Sequence, residues 1–319
     1  MLTSTRYATR AYAGSGDLPG MVDVINAVRR HDGVDDVASV DAMAQQYEHL
    51  QRCDPATDIL VVERAGTIVG YARTVWEDVV EGYRNYWVVV EAHPDDRQIE
   101  ETLYDWVEGR AREIAARHST ADKRLGTWAD EATPKARLLR SRGYAIRRYG
   151  ATLVRPDLDQ IPDLRLPDGV EVRPVEDSHL RAIWEADVEA FRDHRGYVEQ
   201  TETDWEAWLD SPHWDPGLWQ VAWAGDRVVG QVRSYIDRAE NETFGRLRGW
   251  TEDISTGPEW RRQGIAGSLI CSSLHLLRAR GMLEAALGVD TENPNGALHL
   301  YESLGFVRTR LFGEYEKPI

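Results

Sequence analysis

The chain has 319 residues, enough for about two domains, with 42% hydrophobic and 29% charged residues, an ordinary globular balance. Its formal charge of -16 argues against a nucleic-acid surface, which needs clustered Lys and Arg facing phosphates, and against an anionic membrane. No apolar run approaches the ~20 residues of a membrane span, and the start from Met1 to Tyr7 lacks the basic-then-apolar pattern of a secretion signal. Two cysteines in different halves, Cys53 and Cys271, are too few for a disulfide framework, and the His and Cys residues show no ligand spacing, so no metal is expected. These features read as a soluble, cytoplasmic protein.

Taken in order, the chain reads as two copies of one plan. An opening strand ending at Arg10 is echoed by one ending at Arg173, each followed by a helical pattern. Residues 59–70 and 219–230 both read as β-hairpins turning at a glycine, Gly66 and Gly225. Pro94 and Arg97 then match Pro258 and Arg261, and Leu139, Gly143 and Tyr144 match Tyr301, Gly305 and Phe306. Between the copies, residues 155–168 hold three prolines and little periodicity, which reads as a linker. The expected domains are 1–154 and 169–319, each α/β (α+β) with a mixed central sheet flanked by helices.

The most informative stretch runs from Ile254 to Ile270. β-Patterned residues break at Gly257-Pro258, and apolar residues then recur at helical spacing through Ile265, Leu269, Ile270, Leu274 and Leu277. The helix opens on Gly264, Ala266 and Gly267, small residues that leave backbone N–H groups uncovered beside Arg261 and Arg262. Such a helix start suits a pyrophosphate. It is neither a Walker loop nor a dinucleotide fingerprint. Arg261-x-x-Gly264-x-Ala266, followed by Asn293-Pro294-Asn295 and then Ala297, Leu300-Tyr301 and Gly305-Phe306, resembles the two signatures of the GNAT N-acetyltransferase superfamily, in a tandem two-domain arrangement similar to mycothiol-synthase-like proteins.

That resemblance implies tandem GNAT folds, acetyl-CoA as cosubstrate and a small-molecule amine as acceptor, attacked directly in the C-terminal half. It implies that the strand carrying Ile254, Ser255 and Thr256 holds pantetheine. It implies that the backbone N–H groups of Gln263, Gly264, Ala266 and Gly267 take the pyrophosphate, with Arg261, Arg262, Ile265 and Ser268 also at the cofactor, and that Asn293 or Asn295 touches it. Tyr301 matches the family's acid for the departing thiolate. For the base, Glu252 is the first choice and Asp253 the second, on opposite faces by strand alternation. Aligning the prolines puts Glu100 and Thr102 where the second copy has Gly264 and Ala266, so the first copy reads as degenerate. Eight of the twelve Trp lie between 184 and 260 among many carboxylates. The segment from Trp184 to Trp214 is expected to shape the acceptor pocket, with most of these rings in the core. Three alternatives stand beside this reading: a mycothiol-synthase-like acetyltransferase, of which the strand 252–256 is not typical; a non-catalytic CoA-binding sensor or interaction module; and an acyltransferase for longer chains.

Overall fold

The computed structural model describes residues 6–120, 122–293 and 295–319; most of the N-terminal start read above, and Pro294, lie outside them. The chain forms two compact units, residues 1–147 with 201–212 and 313–319, and residues 148–200 with 213–312. No helix among the described residues is long and apolar enough to cross a membrane.

The first unit follows the order β1 (Ala8–Ala11), α1 (Leu18–Asp32), α2 (Val40–Glu48), α3 (Pro55–Asp58), β2 (Ile59–Arg64), β3 (Thr67–Val79), β4 (Tyr83–Ala92), α4 (Glu100–Ala115), β5 (Lys123–Asp130) and α5 (Pro134–Ser141). Strands β1 to β4 pair antiparallel in sequence order, and β4 pairs parallel with β5 across the α4 crossover. Alternation on β3 sends Ala72 to the α4 side and Tyr71 to a cluster with α1 and α2.

The chain continues with β6 (Ala145–Arg155), β7 (Glu171–Arg173), α6 (Leu180–Phe191), α7 (Glu202–Leu209), β8 (Trp219–Ala224), β9 (Arg227–Tyr235), α8 (Arg238–Phe244), β10 (Arg248–Thr256), α9 (Ile265–Ala279), β11 (Glu284–Asp290), α10 (Ala297–Ser303) and β12 (Val307–Pro318). Helix α7 falls in the residues that belong to the first unit. In the second unit the strand order is β6-β11-β10-β9-β8-β7, with β10 and β11 parallel across α9. Strand β6, from the first half of the sequence, therefore completes the second unit's sheet. The apolar stripe expected on the helix after Gly264 is buried against that sheet as Ile265, Leu269, Ile270, Leu274 and Leu277. Residues 155–168 are not slack: Leu158 is buried and Ile161 and Leu166 pack on the same core.

Two glycines verify the repeat and correct its register. A Cβ on Gly70 would lie 2.8 Å from Ile99, 3.0 Å from the Glu91 carbonyl and 3.2 Å from Leu103. A Cβ on Gly230 would lie 2.8 Å from Ile265, 3.2 Å from the Ser255 carbonyl and 3.4 Å from Leu269. So Ile265 corresponds to Ile99 and Ser255 to Glu91. The turn before α9 is longer by two residues than the one before α4, and aligning the prolines slips there. Glu100 stands at the place of Ala266 rather than Gly264. The contacts at Gly230 also seat the first turn of α9 directly on the sheet. Gly230→Ala should therefore cost about 1–3 kcal/mol through overpacking, read as a lower urea midpoint with an unchanged slope.

Candidate active site

The site lies where β10 leaves its neighbours. Strands β10 and β11 pair only through Arg248↔Glu284, Gly249↔Ala285 and Trp250↔Ala286. Beyond that point the Glu252 carboxylate closes the gap, accepting the Gly288 N–H at 2.8 Å. On the other edge, the register with β9 jumps from Glu252↔Arg233 to Ser255↔Gln231, leaving Asp253 and Ile254 in a bulge. Asp253 sits at φ 49°, a left-handed conformation that Asp tolerates better than most residues. A cavity of about 850 Å³ opens here, walled by β10, the α9 turn, the end of β11 and α10.

The bulge overturns the expectation that only one of the two strand carboxylates can face the acceptor. Alternation is broken at residue 253, and both Glu252 and Asp253 line the cavity. They differ in partners. Asp253 is paired with Arg233 at 3.2 Å, and the same guanidinium holds Asp187 at 2.8 Å. Burial pushes the Asp187 carboxyl up to about 6; Arg233 opposes the rise and Asp253 adds to it. Among the described residues no cation pairs with Glu252. Burial, and then the charge of Asp253, push it up to about 8, against the pull of the Gly288 N–H. Tyr301, on α10, is buried with its ring on the cavity wall. Its phenol is raised above the ordinary tyrosine range by burial and then by Glu252, so it stays protonated through neutral pH.

The helix start has the predicted form. Gly264, at φ 85°, is the N-cap of α9 and makes no side-chain cap bond. The first intrahelical bond is Ser268 N–H to Gly264 C=O, at 3.0 Å. The N–H groups of residues 264–267 are thus those the helix leaves without intrahelical acceptors. A Cβ on Gly264 would meet nothing within 4 Å, so this face is open. Arg262, Gly264, Ile265, Ala266 and Gly267 line the cavity. Arg261 also lines it, but its guanidinium is committed to both Asp193 oxygens and to the Ala190 carbonyl at 2.9 Å, tying α6 to the turn. Gln263 bonds the Glu259 carbonyl at 3.1 Å, and the buried Ser268 hydroxyl bonds the Leu164 carbonyl at 2.9 Å. Those two side chains act within the protein, and neither lines the cavity.

Ile254, Ser255 and Thr256 supply the β10 wall, and Asn293 and Asn295 the opposite rim. The Asn293 carboxamide is caught in its own turn, accepting the Asn295 N–H at 2.8 Å. Of the eight tryptophans from 184 to 260, Trp260 alone lines the cavity. Trp205 and Trp208 stack on each other on α7, within the first unit, and Trp184 and Trp219 are buried. The rings therefore mostly pack, as expected, and the segment from 184 to 214 gives the cavity Ala190, Phe191 and His194 instead. Sequence reasoning missed Gly288, Leu164 and the Asp187–Arg233 pair. A glycine inside a strand was the available signal for Gly288.

The raised Glu252 pKa makes a stability prediction. A carboxyl near 4.5 in the unfolded chain and near 8 when folded binds its proton more tightly in the native state. Its contribution is complete below about pH 4.5 and is lost as pH rises through 8. Glu252→Gln keeps an acceptor for Gly288 and cannot ionise. It should match the wild type at pH 5 and exceed it by on the order of 2 kcal/mol at pH 9 in denaturant melts.

The comparisons with known proteins fit this geometry. The profile described as "Acetyltransferase (GNAT) family" matches residues 180–306, the stretch that holds β10, the turn, α9 and α10. A mycothiol acetyltransferase of Thermobispora bispora is 30% identical over 200 residues, 62% of this chain and 67% of that protein. One of Streptomyces coelicolor is 30% identical over 254 residues, covering 78% and 76%. One of Thermomonospora curvata is 28% identical over 296 residues, covering 92% and 91%. Among solved structures, a GCN5-related N-acetyltransferase from Sphaerobacter thermophilus superposes with a TM-score of 0.72 at 24% identity, covering 99% of this chain and 96% of that one. A tandem GNAT protein from the clavulanic acid biosynthesis pathway gives 0.65 at 16% identity, covering 98% of each. The helix N-terminus, the parted strands and the relatives agree: this chain belongs to the GNAT acetyltransferase family, in its tandem form, whose members use acetyl-CoA.

Proposed function

We propose that the second unit transfers acetyl from acetyl-CoA to the primary amine of a small molecule by direct attack, and that the first unit has lost this chemistry. One observation carries the first part: Glu252 and Tyr301 share one cavity with the open N-terminus of α9. Acetyl-CoA supplies an acyl thioester, whose carbonyl is the electrophile and whose thiolate is the leaving group. The N–H groups of residues 264–267 and the α9 dipole hold its pyrophosphate, with backbone groups of 254–256 along the pantetheine arm. Asn295 is the freer of the two asparagines to reach the cofactor. Glu252 takes the proton that an ammonium acceptor must lose before it attacks, and a pKa of about 8 suits that exchange. Asp253, fixed by Arg233, places a carboxylate for the ammonium. The Tyr301 hydroxyl gives its proton to the departing sulfur.

Loss in the first unit follows from three substitutions. Ser255, Ala266 and Ala297 line the second unit's cavity. The corresponding residues in the first unit are Glu91, Glu100 and Lys135. The Lys135 ammonium bonds the Glu91 carboxylate and the Val90 carbonyl, both at 3.2 Å. Burial raises the Glu100 carboxyl, and Lys135 draws it back. An ion cluster stands where small side chains leave room in the other copy. Among the described residues, Tyr301 also has no hydroxylic counterpart in the first unit, where Leu139 is buried at its place.

The relatives favour a second reading of the acceptor, mycothiol acetyltransferase activity, because their shared name extends over alignments of up to 94% of the chain. Release of free CoA thiol, followed with a panel of small amines and with the acceptor those enzymes use, separates the two. Under either reading Tyr301→Phe should lower kcat about 100-fold or more while acetyl-CoA affinity holds. Wild-type kcat/KM should climb with pH through about 8 and lose that limb in Glu252→Gln. A wild type that binds acetyl-CoA and releases no thiol with any acceptor would leave the non-catalytic sensor instead.

A further inference from the structure

Arg73 is a buried cation without a counter-charge. It lies on β3, facing Ile59 on one neighbouring strand and Val89 on the other, and is 7% exposed. Its Nε and Nη1 are buried and donate to nothing. Its guanidinium lies 5.0 Å from the Tyr47 ring centroid. Among the described residues no carboxylate pairs with it. A guanidinium stays charged in a protein, so neutralisation by proton loss is closed to it.

The second unit shows what this position requires. Arg73 follows Gly70 by three residues, as Arg233 follows Gly230, and the two glycines make matching contacts. Arg233 is neutralised by Asp187 at 2.8 Å and Asp253 at 3.2 Å. In the first unit the strand facing Arg73 has no bulge like that at Asp253, and Val89, which stands opposite Arg73 as Glu252 stands opposite Arg233, offers no charge. The acids nearest in sequence to this corner are used elsewhere. Asp58 pairs with Arg110 at 2.8 Å, and Asp54 caps α3 through the Ala56 N–H at 3.1 Å. Neither Val89 nor these two acids forms an ion pair with Arg73.

We infer that the first unit binds a small monocarboxylate, which completes the charge of Arg73 much as Asp187 and Asp253 complete that of Arg233. The planar fork of a guanidinium matches a carboxylate through two parallel hydrogen bonds. One cation balances one negative charge, which favours a monocarboxylate over a phosphate dianion. The surroundings suit a short apolar body: Tyr47 packs against Tyr12 with ring centroids 5.4 Å apart, in a cluster with Met43 and Tyr71. The half-buried Cys53 thiol is near enough for the Arg73 charge to act on it, although burial dominates and pushes that thiol up to about 12. This site uses none of the residues assigned to acetyl transfer.

The test is thermal melting of the full chain in sodium acetate against sodium chloride at equal ionic strength. Acetate should raise Tm saturably, by about 3 °C or more at a tenfold excess over its Kd, and the rise should vanish in Arg73→Gln. No acetate-specific rise, or an equal rise in both proteins, overturns the site. A second measurement needs no variant. At pH 9, iodoacetate and iodoacetamide both alkylate Cys53 as its thiolate sulfur attacks the CH2 carbon and iodide leaves. The rate should saturate with iodoacetate, stay linear with iodoacetamide, and be competed by acetate. Linear kinetics with both reagents contradict the inference.

Discussion

The second unit depends on one hydrogen bond in the gap between two strands. Once β10 and β11 cease to pair after Trp250, their backbone groups need partners, and the Glu252 carboxyl supplies one to Gly288. The same bond holds a buried ionisable group beside Asp253, and burial, then that charge, lifts its pKa to about 8. The opening of the sheet and the raised Glu252 carboxyl are therefore one event. The bulge at Asp253 belongs to it as well, because it turns a second carboxylate to the cavity and lets Arg233 hold that carboxylate in place.

Running the same plan twice shows how one fold can fill the same space differently. Both units part their parallel strands, seat a helix on a glycine and bury a cluster behind it. They differ in how the resulting space is filled. The second unit keeps Ser255, Ala266 and Ala297 small and leaves room for a ligand. The first fills the place with Glu91, Glu100 and Lys135, the Lys135 ammonium pairing with Glu91 at 3.2 Å. On our proposal this cluster occupies the space that a ligand would need in the first unit.

Much of this was legible in the sequence because it rests on local patterning. The stripe of Ile265, Leu269, Leu274 and Leu277 fixes α9 and its inward face, and Gly264 marks where the helix begins. The spacing from Ala297 to Phe306 places Tyr301. The rest depends on geometry that spacing does not encode. A bulge at residue 253 reverses the alternation that would have separated Glu252 from Asp253. The turn before α9 is two residues longer than its counterpart, so matching prolines misaligns the helix starts. Arg261 reads as a phosphate ligand and is held by Asp193, a partner 68 residues away. Residues 155–168 look like a linker by their prolines, yet Leu158 is buried and Leu164 reaches the cavity wall. Of the tryptophans between 184 and 260, most were expected in the core, and only Trp260 reaches the cavity.

The central claim is that one unit works and the other is filled. Calorimetric titration of acetyl-CoA into the full chain tests it most directly. The account predicts one site per chain, abolished by Ala297→Lys, which brings the first unit's lysine into the second, and untouched by Lys135→Ala. Two sites in the wild type, or a single site that survives Ala297→Lys, would contradict it.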